Sequence, residues 1–158
     1  MNLLKKALDY MERIIAIKKQ LGVLFKHGKD ELLTEYDIDV IDDILSVYDG
    51  QGKSFHYDKN NVLSQSVQET LFNEKRTIIE NCLFGVDLNS KAVAICQLRL
   101  WIELLKNAYY KNEVMETLPN IDINIKSGNS LINKLNFAIG SKIGQGGVEL
   151  EKNTQKLN

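Results

Sequence analysis

The chain has 158 residues, and its 20 basic side chains nearly balance 21 acidic ones, giving a formal net charge of −1 at pH 7. This length predicts one domain with a sizeable core, and the charge excludes the strongly basic surface of a free-standing DNA-binding protein. No apolar stretch is long enough to cross a bilayer, and the amino terminus lacks the apolar segment of a signal peptide. We therefore expect a soluble cytoplasmic protein that does not contact membranes.

The cysteines and acidic residues give no sign of a metal site. Cys82 and Cys96 both lie in apolar patterns, away from any Cys or His cluster. This favours reduced core thiols over a disulfide or a pair of metal ligands. The aspartates between residues 37 and 43 lack the glycine and terminal glutamate of a calcium loop. We predict that they occupy solvent-facing strand and turn positions.

The first elements are a helix and a small antiparallel insertion. Apolar residues recur every three to four positions from Leu3 to Leu21, which predicts an amphipathic helix ending before Gly22. Between Tyr36 and Tyr57 the period changes to two, with a turn at Asp42-Asp43, and this predicts an antiparallel meander.

A second helix then leads into the central strand. Helical spacing runs from Leu63 to Asn81, with Ser64 or Asn61 as the amino-terminal cap. In the stretch Cys82–Asn89 an apolar run without alternating polar residues stops abruptly at the carboxylate of Asp87, which predicts a strand buried on both faces, as in parallel sheets.

The end of this strand is a candidate binding site, because open α/β folds bind ligands at the carboxyl ends of their strands. Asp87 comes at this end. Its carboxylate can accept two hydrogen bonds from a ribose diol, and Leu88 can lie against a purine.

The third helix has the broadest apolar stripe in the chain. It is predicted from Lys91 to Tyr109, with Asn89-Ser90 as its cap, and a stripe this wide indicates burial on more than one side. Arg99 and Glu103 lie one turn apart, so we expect them to form an ion pair on the exposed edge of the helix.

A second strand is predicted where Ile121–Lys126 alternates apolar and polar residues. A right-handed crossover would bring the following turn, Ser127–Leu131, to the same sheet edge as Asp87, with Asn129 beside it. A carboxylate and an amide placed in this way fit half of a site for NAD, ATP or S-adenosylmethionine alike. Beyond residue 135 no periodicity remains, and we predict a flexible tail over residues 136–158.

Four stretches in a fixed order resemble the methyltransferase region of type IIG restriction–modification enzymes: Phe84–Asn89, Ala92–Val93, Leu98–Leu105 and Leu118–Leu131. These enzymes fuse an adenine-N6 DNA methyltransferase, related to the type I modification subunits, with an endonuclease and a target-recognition region. The resemblance implies an α/β fold over residues 1–135: a partial Rossmann-like sheet of S-adenosylmethionine-dependent methyltransferases with flanking helices, plus the antiparallel insertion at about 36–57.

The resemblance also implies roles for individual residues. By analogy with the family, Asp87 binds the ribose hydroxyls of S-adenosylmethionine, and Leu88 flanks its adenine. Asn129 addresses the adenine amino group, and Gly128 allows close approach of the backbone. The resemblance assigns no catalytic residue to this chain.

Two departures from the family pattern affect the predicted activity. The family has a glycine-rich loop after its first strand, and an Asn/Asp-Pro-Pro-Tyr/Phe tetrapeptide that holds the flipped target base. Pro119 is the sole proline, so the tetrapeptide does not occur here, and the loop is also missing. We therefore expect a fragment of a larger enzyme that is inactive alone and reaches DNA through other parts of its parent.

Two further expectations follow from the fragment interpretation. An apolar surface left uncovered on Leu98–Leu105 could pair fragments into a dimer. The alternative to a methyltransferase fragment is a non-catalytic interaction or regulatory module that keeps the fold without binding cofactor.

Overall fold

The structure, a computed structural model, describes residues 3–121 and 124–129. The predicted tail at 136–158 and the end of the predicted turn Ser127–Leu131 lie outside the described residues. Within them the chain forms three helices: α1 (Leu3–Gln20), α2 (Val62–Cys82) and α3 (Ser90–Leu105). No helix among the described residues is both long and apolar enough to span a membrane.

Each helix has a capping residue at one end that the sequence predicts. Asn61 caps α2 by accepting hydrogen bonds from the backbone N–H groups of Leu63 and Ser64, and Asn89 caps α3 in the same way. Gly22 ends α1 with a positive φ of 65°, the left-handed conformation that glycine adopts without strain. The three predicted helices are therefore confirmed to within a few residues at each end, except that α3 stops at Leu105 rather than Tyr109.

Two antiparallel hairpins have turns of the same kind. β1 (Tyr36–Ile41) pairs with β2 (Ile44–Asp49) through the predicted turn at Asp42-Asp43, where both residues have positive φ. A two-residue turn with positive φ at both positions has a backbone twist that matches the right-handed twist of the two strands. The predicted meander is confirmed in part: after β2 the chain turns back and pairs antiparallel with it, but only at the bridge between Tyr48 and Ser54, which is too short to be a full third strand.

The second hairpin was not predicted from the sequence. β4 (Tyr110–Lys111) pairs with β5 (Val114–Met115), and their turn residues again have positive φ. Residues 106–109 separate the hairpin from α3, and they form a turn and irregular chain where the helical pattern predicted the last turn of the helix.

A parallel pair forms the remaining sheet. β3 (Gly85–Asp87) pairs with β6 (Ile125–Ser127), and α3 lies between them in the chain. This arrangement is a mixed α/β fold. The partial Rossmann-like sheet stays a prediction, because the described residues contain one parallel pair and two separate hairpins.

The core lies where the three helices and β1 meet. Its fully buried members include Met11 and Ile15 of α1, Leu71 and Phe72 of α2, and Leu100 of α3. The Phe72 ring packs edge-on against Tyr109, and the two ring centroids are 5.4 Å apart, a typical distance for an aromatic pair. Most of the buried apolar surface is therefore gathered away from the β3–β6 pair.

The prediction that β3 is buried on both faces is wrong. Val86 is 51% exposed, and Phe84 on one side and Leu88 on the other are more exposed still. The physical reason is that an open apolar groove, rather than a packed element, lies beside β3, which pairs with a described strand along one edge alone. The prediction of two core thiols fails for the same reason at Cys82, which is exposed, whereas Cys96 is half-buried and burial raises the pKa of its thiol.

A buried ion cluster joins the three helices. Lys75 of α2 is 1% exposed, and its Nζ lies 2.7 Å from Glu103 Oε1 of α3 and 3.8 Å from Glu12 Oε1 of α1. Glu12 Oε2 also accepts a hydrogen bond from the backbone N–H of Leu45 in β2 at 3.1 Å. The predicted surface pair between Arg99 and Glu103 is wrong, because Glu103 turns inward to this cluster.

The two carboxylates of the cluster differ in pKa. Burial raises the pKa of Glu12 to about 6, and the attraction of Lys75 only partly opposes it. Burial alone would also raise the pKa of Glu103, but Lys75 and Lys106 outweigh it and hold that pKa below its ordinary value. Lys106 Nζ lies 2.6 Å from Glu103 Oε2, which explains the difference between the two acids.

Replacing the central cation should destabilise the fold. Lys75→Met leaves two buried carboxylates without their shared partner, and we expect the free energy of unfolding to fall by about 3–5 kcal/mol in urea denaturation at pH 7. Lys59→Met is the matched control, because Lys59 pairs with Glu113 on an exposed surface and such pairs contribute at most about 1 kcal/mol. Equal losses from the two variants would contradict the role assigned to Lys75.

The raised pKa of Glu12 predicts a pH dependence of stability. A pKa higher in the folded chain than its ordinary 4.5 means that the folded state holds the proton more tightly. This contribution is present below pH 4.5 and is lost as pH rises through 6. Wild type should therefore lose about 2 kcal/mol relative to Glu12→Gln between pH 4.5 and pH 6.5. Glu103→Gln should show a difference of the opposite sign below about pH 4.5, because the pKa of Glu103 is lowered by folding and its contribution is lost as the pH falls. Urea titrations from about pH 3 to pH 7 test both variants.

Candidate functional site

The carboxyl ends of β3 and β6 lie side by side. Asp87 is in register with Ser127, and the backbone N–H of Gly128 donates to the carbonyl oxygen of Asp87 at 2.9 Å. Asn129 follows directly and is exposed at the same edge. The structure thus brings together the ends of β3 and β6, as the sequence pattern predicts.

The carboxylate of Asp87 is exposed and held in one orientation. Its Oδ1 accepts a hydrogen bond from the backbone N–H of Asn89 at 2.7 Å, and Asn89 Oδ1 in turn accepts from the N–H of Lys91 at 3.0 Å. These two contacts link the strand end to the first turn of α3. A carboxylate has about four acceptor positions, so this contact leaves room for further donors.

Leu88 projects from the same strand end, and its side chain is 76% exposed. An apolar side chain of this size so open to water contributes little to the core. It follows Asp87 directly, so an exposed apolar side chain and an exposed carboxylate are neighbours in the chain at this strand end.

The two glycines of the parallel pair differ in what the fold requires of them. A Cβ at Gly85 would lie 3.3 Å from the side chain of Ile125, so the packing of β3 on β6 favours glycine there. At Gly128 a Cβ would meet Val86 at an ordinary 3.6 Å. Packing within the described residues therefore does not account for the glycine at 128.

Asn124 fastens β6 to the end of α2. Its Nδ2 donates to the carbonyl oxygens of Ile79, Glu80 and Leu83 at 3.0, 2.7 and 3.2 Å, where the last turn of α2 has no helical partners. The backbone carbonyl of Asn124 accepts from the N–H of Gly85 at 2.9 Å. One residue thereby fixes where β3 and β6 begin. The alternating pattern of Ile121–Lys126 gave no sign of this, since alternation predicts a solvent-facing residue at 124.

An open apolar groove runs beside β3 and ends at Asp87. Its volume is about 340 Å³. The lining comes from the start of α1 (Leu3, Leu4, Ala7), the residues of and before β3 (82–87), the start of α3 (Ala92, Val93, Cys96) and Ile125 of β6. Among residues 3–121 and 124–129, no group of His, Cys, Asp or Glu side chains is arranged to hold a metal ion.

Comparison with known proteins bears on the same region. Residues 81–157 match the Eco57I restriction-modification methylase family. Over these residues the chain is similar to restriction–modification methylases. The matched stretch, called here the methylase segment, contains β3, α3 and β6 and therefore all four predicted site residues. It extends into residues 136–157, outside the described residues.

A relative supports the same assignment. The chain is 46% identical over 66 residues to a candidate type II restriction enzyme and methyltransferase of Methanocaldococcus jannaschii. The aligned region is 39% of this chain and 5% of that protein, so the chain spans a small part of its relative's length. No solved structure matches the chain. The resemblance to restriction–modification methyltransferases is thus confirmed.

Asn124 should be essential for the geometry of the methylase segment. In Asn124→Ala the three carbonyls of α2 lose their common donor in a buried position, and we expect unfolding to become easier by about 1–3 kcal/mol. Asn81→Ala removes a comparable amide on the exposed side of the same helix, where Nδ2 donates to Thr77, and should cost much less. Urea denaturation compares the two variants, and similar losses would contradict a special role for Asn124.

Proposed function

We propose that this chain carries the ribose- and adenine-binding half of the S-adenosylmethionine site of a DNA adenine-N6 methyltransferase. The parent would be a restriction–modification enzyme of type IIG, acting on DNA in the cytoplasm. The observation that carries the proposal is the exposed, oriented carboxylate of Asp87 at the end of a strand in the methylase segment.

Asp87 suits the ribose because of what its carboxylate offers. A diol presents two O–H donors, and an ionised carboxylate is an acceptor with two oxygens. The hydrogen bond from Asn89 fixes the side chain before any ligand arrives, so little rotational freedom is lost on binding.

The neighbouring residues suit the adenine. Leu88 offers an exposed apolar surface for the ring, and burying it against a purine removes apolar area from water. Asn129, across the strand pair, carries an amide that can donate to and accept from the base edge. Gly128 has no side chain, so the adenine can approach the backbone closely at this position.

Methyl transfer itself needs groups that this chain does not contain. Bound S-adenosylmethionine supplies an electrophilic methyl group on its sulfonium. Asp87, Leu88, Gly128 and Asn129 would hold the nucleoside end of that molecule. Positioning of the target amine requires a base-holding motif, which the single proline excludes from this sequence. We therefore propose that the chain alone is inactive.

Adenosine is a suitable probe because the proposed half-site recognises only that part of the cofactor. We expect adenosine to bind the 158-residue chain with a dissociation constant of roughly 1 mM or weaker, measured by ligand-observed NMR. S-adenosylmethionine should bind similarly, and 2′,3′-dideoxyadenosine, which lacks the diol, should not bind. Asp87→Asn should weaken adenosine binding about tenfold or more.

The matched control is Asp58→Asn. Asp58 is exposed, and its Oδ1 accepts from the backbone N–H two residues later at 2.9 Å, as Asp87 does from Asn89. This variant should bind adenosine like wild type. If adenosine does not bind, or if Asp87→Asn and the dideoxy analogue bind undiminished, the nucleoside-site proposal fails and a non-catalytic module becomes the better interpretation.

A further inference from the structure

Four apolar residues form an exposed stripe along α3, called here the α3 stripe. They recur at intervals of three and four residues, so they lie on one face of the helix. Each is about half exposed: Ile95 (59%), Leu98 (53%), Ile102 (49%) and Leu105 (46%). The opposite face of α3 is buried in the core. Packing among the described residues therefore uses one face of this helix and leaves a second apolar face open to water.

Two basic residues lie along one side of the α3 stripe. Arg99 is four residues after Ile95 and three before Ile102, and Lys106 is four residues after Ile102. Residues at these separations are neighbours on the surface of a helix. Both are exposed, and the side chain of Lys106 is 54% exposed even though its Nζ lies 2.6 Å from Glu103. The stripe thus combines an apolar centre with a positively charged flank.

The helix itself has no exposed acid to match this flank. Glu103 is the only acidic residue of α3, and it is 4% exposed because it turns inward to Lys75. The outer face of α3 therefore carries basic charges alone, and a partner that covers it gains most from acidic side chains.

We propose that the α3 stripe docks an amphipathic α-helix of a partner polypeptide, with acidic residues on the side that meets Arg99 and Lys106. Apolar side chains that alternate at three and four residues interdigitate with the same pattern on a second helix, as in coiled coils. Opposite charges along the flank select the partner and its orientation. The proposal does not rest on nucleoside binding, because it concerns the outer face of α3 and not the carboxylate of Asp87.

A second copy of this chain, the occupant that the sequence suggested for Leu98–Leu105, fits the α3 stripe less well. In an antiparallel pair of α3 helices the same flanks meet, which brings Arg99 toward its own counterpart. In a parallel pair the basic flank meets the side of the helix that carries Trp101, which has no charge. Neither arrangement supplies an acid. A β-strand also fits less well, because a helix face offers no backbone groups to pair with those of the strand.

The experiment uses the 158-residue chain and fluorescent helical peptides of about three heptads. The first peptide has leucine at the two apolar positions of each heptad, glutamate along one flank, and alanine or glutamine elsewhere. The second has lysine in place of each glutamate, and the third has the composition of the first with its leucines spread around the helix. We expect the first to bind about tenfold or more tightly than either of the others by fluorescence anisotropy. Its advantage over the lysine peptide should shrink in about 0.5 M salt, which screens exposed charges.

Three protein variants locate the binding. Ile102→Asp places a charge in the middle of the α3 stripe and should weaken binding of the glutamate peptide about tenfold or more. Ile17→Asp is the matched control, because Ile17 is 50% exposed on α1, against 49% for Ile102 on α3. It should bind like wild type, and both variants should have similar urea midpoints. Arg99→Glu should weaken binding of the glutamate peptide and strengthen that of the lysine peptide, each by about fivefold.

Several outcomes would overturn the proposal. Equal binding of the glutamate and lysine peptides, or an unchanged preference in Arg99→Glu, would contradict an acidic partner. Absence of binding, or equal losses in Ile17→Asp and Ile102→Asp, would exclude a site on α3. Sedimentation of the chain as a dimer that Ile102→Asp dissociates would assign the stripe to a second copy. Binding to vesicles of anionic phospholipid in place of the peptide, lost in Ile102→Asp, would assign it to a membrane surface.

The two proposals of this article can fail independently. Adenosine binding is measured at Asp87, and Ile102→Asp should leave it unchanged. Peptide binding is measured on the outer face of α3, and Asp87→Asn should leave that unchanged.

Discussion

The buried cluster around Lys75 is the interaction on which the rest of the structure depends. Each helix contributes one charged side chain to it, and Glu12 extends the contact to the first hairpin through Leu45. Removing ions from water costs several kcal/mol each, so the cluster is tolerated only where partners are close and well oriented. A helix that slid by one turn would leave a buried charge unpaired, and the cluster therefore fixes how the three helices pack.

The candidate site is attached to this framework at the end of α2. Asn124 binds the last carbonyls of that helix and starts β6, while β3 continues directly from the same helix end. The position of Asp87 thus depends on a helix whose middle is held by Lys75. The site residues Asp87, Leu88 and Asn129 are themselves exposed, so they contribute little to the core.

The sequence predicted what depends on neighbouring residues. The helices, the caps at Asn61 and Asn89, and the Asp42-Asp43 turn are local features, and the meeting of Asp87 with Gly128 follows from a parallel crossover. Contacts between distant elements were not predictable from periodicity. Glu103 was expected on the surface because a charge inside a helix pattern signals exposure, and only the arrival of Lys75 from α2 reverses this. β3 was expected to be buried because its residues form an apolar run. Such a run does not reveal whether other elements pack against the strand.

The topology of the parallel pair bears on the order of folding. The hairpin β1–β2 and the contact between Lys75 of α2 and Glu103 of α3 join residues that are nearer in sequence than β3 and β6, which meet only after all of α3 and the second hairpin have been spanned. Closing long loops is slow because chain entropy is lost before contacts compensate for it. The strand ends carrying Asp87 and Gly128 should therefore assemble late, on a helical nucleus already formed. A ligand or partner at this edge would then complete folding as well as bind.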